Sequence, residues 1–153
     1  MKRSLPRAGE GKRGTPGHIA YLLRQAQAGV RFALDAAFKP LGLTAPQFLV
    51  LNLLDAYPGV SGAELARVAQ LTPQTVNLIV RKLEREKLVR RQEHETHGRV
   101  LRAELTAQGR GRLARCKRGA DLVEARLLAT LDPKSEAAVR RWLVAVARGL
   151  SRP

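Results

Sequence analysis

The stretch SGAELARVAQLTPQTVNLIVRKLEREKLVRRQEHETHGRVLRAELT, residues 61–106, decides the fold. Ser61-Gly62-Ala63-Glu64 is a capping box, in which the Ser61 hydroxyl can accept the N–H of Glu64 while the Glu64 carboxylate returns to the N–H of Ser61. A short helix follows through Leu65, Ala66 and Ala69. After the turn Gln70-Leu71, Thr72 suits an N-cap and Pro73 suits the first helical position, where a missing N–H costs nothing. In this second helix Val76, Ile79, Val80 and Leu83 recur at three- and four-residue spacing and form one apolar face. Gln74, Thr75, Asn77, Leu78, Arg81 and Arg85 fall on the faces left over. Leu88-Val89-Arg90-Arg91 and Arg99 to Leu105 then read as two strands joined by the polar tip Glu93-His94-Glu95-Thr96-His97-Gly98. Helix, turn, helix and basic hairpin in that order predict a winged helix-turn-helix.

The outward face of the second helix carries amide, hydroxyl and guanidinium groups in its N-terminal half, the part of a recognition helix that meets base edges in the major groove. Gln and Asn pair with adenine, and Arg with guanine, in two-bond geometry. For a helix seen alone, an ordinary solvated face would explain the same residues. The hairpin directly behind it favours DNA.

Length and charge agree. A chain of 153 residues can bury one substantial core. Its 28 basic residues against 13 acidic ones give a net charge of +15, which favours a polyanionic partner. An anionic membrane surface would also attract it, but the chain has no long apolar run and no signal-peptide pattern, so cytoplasm is the expected compartment and no membrane partner is expected. One cysteine excludes an internal disulfide. No glycine-rich phosphate loop, catalytic Ser-His-Asp set or paired carboxylates can be assembled, so the chain does not read as an enzyme, and no cofactor is expected.

Outside the winged region the chain reads as helices. Residues 18–38 place Ile19, Leu22, Ala26, Val30, Ala33 and Ala37 on one stripe, ended by Pro40 and Gly42. Thr44-Ala45-Pro46-Gln47 is a second capping box, opening a helix through Phe48, Leu51 and Leu54 that stops at Pro58-Gly59. Thr106 caps a long helix to about Thr130, and Asp132-Pro133 opens a last one carrying Ala137, Trp142, Leu143, Val146 and Leu150. Residues 1–17, with four glycines and five basic side chains, read as a flexible basic tail. The fold expected is mainly α with a small β-hairpin wing.

Leu43-Thr44-Ala45-Pro46-Gln47-Phe48, Leu65-Ala66, the run Val80 to Arg91, and Leu105-Thr106-Ala107-Gln108-Gly109 together resemble the MarR family of bacterial transcriptional regulators, over residues 18–150. The resemblance implies a single MarR-like domain over 18–153, with the DNA-binding region at about 44–105 and dimerisation helices at about 18–40 and 106–150. The family's wing tip commonly reads Asp-Arg-Arg or Asp-Lys-Arg, and here His97-Gly98-Arg99 stands in its place. Arg99 keeps the side chain that in the family enters the minor groove, while His97 replaces the acidic brace. The DNA contacts implied are Ser61, Thr72, Gln74, Thr75, Asn77, Leu78, Arg81, Lys82 and Arg99. A homodimer through Trp142, Val146 and Leu150 is implied as well, reading a palindromic operator on double-stranded DNA, with repression as the outcome. A small aromatic carboxylate effector is implied, held by His18, Tyr21, Arg24 and Gln25 on the first helix and Phe48 on the second, or else these are ordinary packing and surface residues.

Other readings stay open. The charge would also serve a non-specific architectural or RNA-binding winged helix. Cys116, beside Arg115, Lys117 and Arg118, would serve a redox-responsive regulator if its thiol were accessible and acidified, although a lone helical cysteine also suits a core. His94 and His97, with Glu93 and Glu95, have a spacing that zinc could use, though solvated or phosphate-facing histidines suit a wing tip better. The Arg110, Arg112, Arg115, Lys117, Arg118 cluster suits either phosphate contacts or a solvated face.

Overall fold

A computed structural model describes residues 6–92 and 102–150. Six helices and one hairpin follow in the order α1 (Ile19–Phe38), α2 (Ala45–Ala56), α3 (Gly62–Ala69), α4 (Pro73–Arg85), β1 (Val89–Gln92), β2 (Arg102–Leu105), α5 (Ala107–Leu128) and α6 (Pro133–Leu150). Short 3-10 turns lie at Gly11–Arg13 and Lys39–Leu41.

The helix starts follow from side chains that satisfy the free N–H groups of a first turn. At α3 the Glu64 N–H donates to Ser61 Oγ at 3.3 Å and the Ser61 N–H donates to Glu64 Oε2 at 2.9 Å, closing the capping box. At α4 the Thr75 N–H donates to Thr72 Oγ1 at 3.1 Å. At α2 the Gln47 side chain accepts the Thr44 N–H at 3.0 Å, and Asp35 of α1 accepts the Ala45 N–H at 2.6 Å. That last bond ties the start of α2 to the end of α1.

The helix ends are equally local. After α3, Gln70 turns left-handed at φ 55°, and the Leu71 N–H reaches back to the Ala66 carbonyl at 2.9 Å. After α4, Lys87 does the same at φ 57°, and the Leu88 N–H reaches the Leu83 carbonyl at 2.9 Å. Such an end costs a non-glycine residue about 1 kcal/mol, but it satisfies carbonyls the helix leaves open. The second one aims the chain directly into β1.

The hairpin pairs antiparallel with Val89 opposite Leu105, Arg90 opposite Glu104, Arg91 opposite Ala103 and Gln92 opposite Arg102. Val89, Ala103 and Leu105 face the core, and the Arg90–Glu104 ion pair lies on the solvent side. One cluster of buried side chains joins α4 (Val76, Ile79, Val80, Leu83) to α2, α3, both strands and α5. Burying a Val, Leu or Ile contributes about 1.5–3 kcal/mol, so these four set which way α4 faces.

The first helix differs from its expected stripe. Phe38 is fully buried and Leu34 and Ala37 pack on the core, whereas Ile19 and Ala26 are exposed. Periodicity alone does not say which apolar residues meet the chain's own core, and only the C-terminal half of α1 reaches it. Within the stretch expected as a tail, the 3-10 turn Gly11–Arg13 leans on α1: Arg13 Nε donates to Gln25 Oε1 at 3.0 Å and Gln25 Nε2 donates to the Arg13 carbonyl at 3.2 Å. The last helix buries none of its residues against the rest of the chain. Asp132 caps it by accepting the Lys134 and Ser135 N–H groups, each at 3.0 Å.

The wing closes where it began. The Leu88 carbonyl accepts the Thr106 N–H at 3.1 Å, the Thr106 hydroxyl donates to the Lys87 carbonyl at 2.7 Å, and the same hydroxyl accepts the Gly109 N–H at 3.0 Å. A Cβ on Gly109 would sit 1.9 Å from the Leu88 carbonyl oxygen, so only glycine fits. Helix propensity alone would make Gly109→Ala stabilising by about 1 kcal/mol. The close approach reverses the sign, and Gly109→Ala is expected to lower stability by about 1–3 kcal/mol in urea unfolding. An unchanged or raised midpoint would show that this junction is not tight.

Candidate nucleic-acid interface

The helix α4 presents two unlike faces. Val76, Ile79, Val80 and Leu83 are buried, whereas Gln74, Asn77, Leu78, Arg81 and Arg85 are exposed. Thr72 is exposed and Thr75 half-buried, and their hydroxyl oxygens lie 2.8 Å apart, so both are engaged at the cap. Lys82 is half-buried, with Glu86 one turn on at 4.0 Å. Gln74, Asn77 and Arg81 are therefore the exposed side chains, among those of this helix expected to meet DNA, whose polar ends have no hydrogen-bond or ion-pair partner among the described residues.

Ser61 sits at the start of α3, facing the wing. Its backbone forms an isolated antiparallel bridge with Arg102, the first residue of β2. The Ser61 hydroxyl lies 2.7 Å from Glu64 Oε2, and the hydrogen bonds from the Ser61 side chain and backbone hold the Glu64 carboxyl below its ordinary pKa, helped by Arg67 and Arg102 and opposed by slight desolvation. Arg102 Nε is buried without a hydrogen-bond partner among the described residues. Sequence spacing does not single out Arg102, because it stands 41 positions after the Ser61 it touches. Register is what brings them together.

Two basic side chains of β1 are held by acids. Arg91 pairs with Glu84 at 2.9 Å, linking β1 to α4, and Arg90 pairs with Glu104. Arg99 and the pair His94 and His97 lie outside the described residues. Among the described residues no group of three His, Cys, Asp or Glu side chains is placed to hold a metal ion.

Three members of the basic cluster on α5 are structural. Arg110 Nη1 donates to the Leu105 carbonyl at 3.0 Å, Arg112 donates to the Leu41 carbonyl, and Lys117 pairs with Asp55 at 2.9 Å. These bonds fasten α5 to the hairpin, to the turn before α2, and to α2 itself. Arg115 and Arg118 are exposed.

The expected effector residues are not gathered within one chain. His18 precedes α1, and Tyr21 and Arg24 lie exposed on its first turns, while Gln25 is engaged by Arg13. Phe48 packs on Phe38 at the far end of α1, ring centroids 4.6 Å apart, which is about 30 Å along the helix from His18. The physical reason is that Phe48 lies on the α2 face that covers the core end of α1. Trp142, Val146 and Leu150 lie on α6, where Trp142 and Leu150 are exposed and Val146 half-buried.

Residues 41–100, from the turn before α2 into the wing, match the MarR family. The chain is 42% identical over 125 residues to the HTH-type transcriptional repressor Rv2887 of Mycobacterium tuberculosis, a match covering 82% of this chain and 90% of the relative. The chain belongs to the MarR family. The crystal structure of the M. tuberculosis MarR family protein Rv2887 with salicylic acid superposes with a TM-score of 0.68 at 40% identity, covering 85% of this chain and 96% of that one. The structure of Rv2887 with DNA superposes with a TM-score of 0.68 at 37% identity, covering 85% of this chain and 98% of that one. This MarR-family protein is thus a DNA-binding transcriptional regulator, of a class that is not enzymatic. Among its described residues no helix is long and apolar enough to cross a membrane.

Cys116 of this MarR-family chain does not suit oxidation sensing. Its side chain is 0% exposed within the core, and burial pushes the thiol above its ordinary pKa, with Arg112 and Arg115 opposing. A sensor needs access and a lowered pKa. A thiol-specific reagent at neutral pH should therefore label urea-unfolded protein rapidly and native protein far more slowly. Equal rates would return Cys116 to the list of switches.

Proposed function

We propose that the protein is a repressor that binds an inverted-repeat operator as a homodimer and leaves it when a small aromatic carboxylate binds. The observation that carries the DNA reading is the outward set of Gln74, Asn77 and Arg81 in the N-terminal part of α4, held in place by four buried side chains behind it. The crystal structure of the relative Rv2887 in complex with DNA supports a DNA-binding role. In this reading residues 44–105 bind DNA, Arg99 reaches the minor groove from the wing, and 18–40 with 106–150 pair two subunits. A DNA-bound regulator works in the cytoplasm of a bacterial cell.

The dimer reading rests on α6, which has no fully buried residue yet shows Trp142 at 41% and Leu150 at 81% exposure. Phe32 of α1 is 78% exposed. Two such chains related by a two-fold axis would place recognition helices about one DNA turn apart. The effector reading rests on the relative's salicylic acid complex. In this chain His18, Tyr21 and Arg24 offer stacking and a cation for a carboxylate, and the partner subunit would complete the pocket that Phe48 does not reach.

Selection of operator fragments from genomic DNA, followed by binding titrations in excess random DNA, tests this reading. Gln74→Ala and Arg81→Ala should each cost about 1–3 kcal/mol on the operator and relax preference at particular base pairs. An equal loss on random DNA would reduce both to phosphate contacts and favour an architectural protein. Salicylate should release the parent protein from the operator, and operator DNA should weaken salicylate binding by the same factor.

Trp142→Ala should lower dimerisation and operator affinity together, measured by sedimentation and by the same titration. A monomer that binds the operator as tightly as the parent would overturn the dimer.

A further inference from the structure

Leu78 is 67% exposed at the crest of the DNA-facing side of α4. With successive residues about 100° apart, Gln74, Thr75, Arg81 and Lys82 all lie within about 60° of it, while the buried Val76, Val80 and Leu83 point away and Ile79 lies to the side at about 100°. It is the sixth residue of the 13-residue helix Pro73–Arg85, within the half that enters a groove first. A single exposed leucine is ordinary on a protein surface. One that sits between two polar side chains and two cations, on the ridge that would sink deepest, is not accounted for by solvent.

The chemistry of the facing surface supplies the occupant. In the major groove every base-pair edge is built of hydrogen-bond donors and acceptors except thymine, which adds a C5-methyl group. We infer that Leu78 reads thymine through that methyl group, making it a specificity-determining residue between the hydrogen-bonding Gln74 and Arg81. The inference rests on the DNA-binding reading above and adds a base identity to it. The neighbouring cations Arg81, Lys82 and Arg85 favour a polyanion over a second copy of this basic chain at the same crest. Leu78 is exposed and stands outside the buried core cluster, so its substitution should leave the fold intact.

The test replaces each thymine of the selected operator in turn by deoxyuridine, which removes the methyl group and leaves every hydrogen-bonding group in place. Parent protein and the Leu78→Ala and Leu78→Gln variants are titrated against the whole set at one salt concentration, with thermal unfolding as a check on each. At one thymine per half-site the parent should bind deoxyuridine DNA about fourfold more weakly, the equivalent of about 0.8 kcal/mol for one methyl group. Both variants should bind the thymine and deoxyuridine forms equally at that position and keep the parent's response elsewhere. A parent indifferent to every thymine methyl group overturns the inference while leaving the regulator in place. So does a Leu78→Ala protein that keeps the full fourfold response, since another side chain must then meet the methyl group. A parent that selects no operator at all overturns the proposed function and this inference with it.

Discussion

Burial of Val76, Ile79, Val80 and Leu83 is the constraint on which the rest of the structure depends. A helix is a cylinder, and its functional face is defined only by what its opposite face must hide. Turning α4 by a single residue would rotate it by about 100°, taking part of this apolar set out of the core and bringing polar side chains in. Each unpaired polar group so buried would cost on the order of 1–3 kcal/mol, beyond the lost apolar burial. The orientation of Gln74, Asn77, Leu78 and Arg81 is therefore a consequence of packing. The ion pair from Arg91 to Glu84 links β1 to the same helix.

Local chemistry made most of this fold readable from sequence. The caps at Ser61, Thr72, Thr106 and Asp132 each involve residues within three positions of one another, and all four open helices where expected. The period of Val76, Ile79, Val80 and Leu83 is likewise a property of a short window. Contacts between distant positions were not readable in the same way. Nothing near Arg112 announces that it will donate to Leu41, and nothing near Phe48 announces that Phe38 rather than Tyr21 will be its aromatic neighbour. The expected effector crevice failed to gather in one chain for that reason, since it joined residues by type across two helices whose crossing point the sequence does not contain. The same gap let Ile19 and Ala26 be grouped with Ala37 on one inward stripe, although only the last of the three meets the core.

Positive charge in this protein has two separate uses, which composition cannot tell apart. Arg110, Arg112 and Lys117 spend their donors on carbonyls and a carboxylate of the same chain, fastening α5 across the back of the winged unit. Arg81 and Arg85 remain exposed on α4, where among the described residues no acid is paired with either. Mutating a structural cation would loosen the scaffold and change DNA binding indirectly. Stability and affinity must accordingly be measured together for any arginine of this chain.

The knot of bonds around Leu88, Thr106 and Gly109 has a bearing on how such a chain can diverge. Both ends of the hairpin are clamped at one point, so the segment between them is an excursion that leaves and returns to the same anchor. Lengthening an excursion of this kind costs little, about 0.6 kcal/mol for each doubling of its length. By that measure a change of length between the clamped ends disturbs the scaffold little, while the glycine that admits the Leu88 carbonyl is not free to change. Length can vary between the clamped ends without the packing of α4 having to be rebuilt.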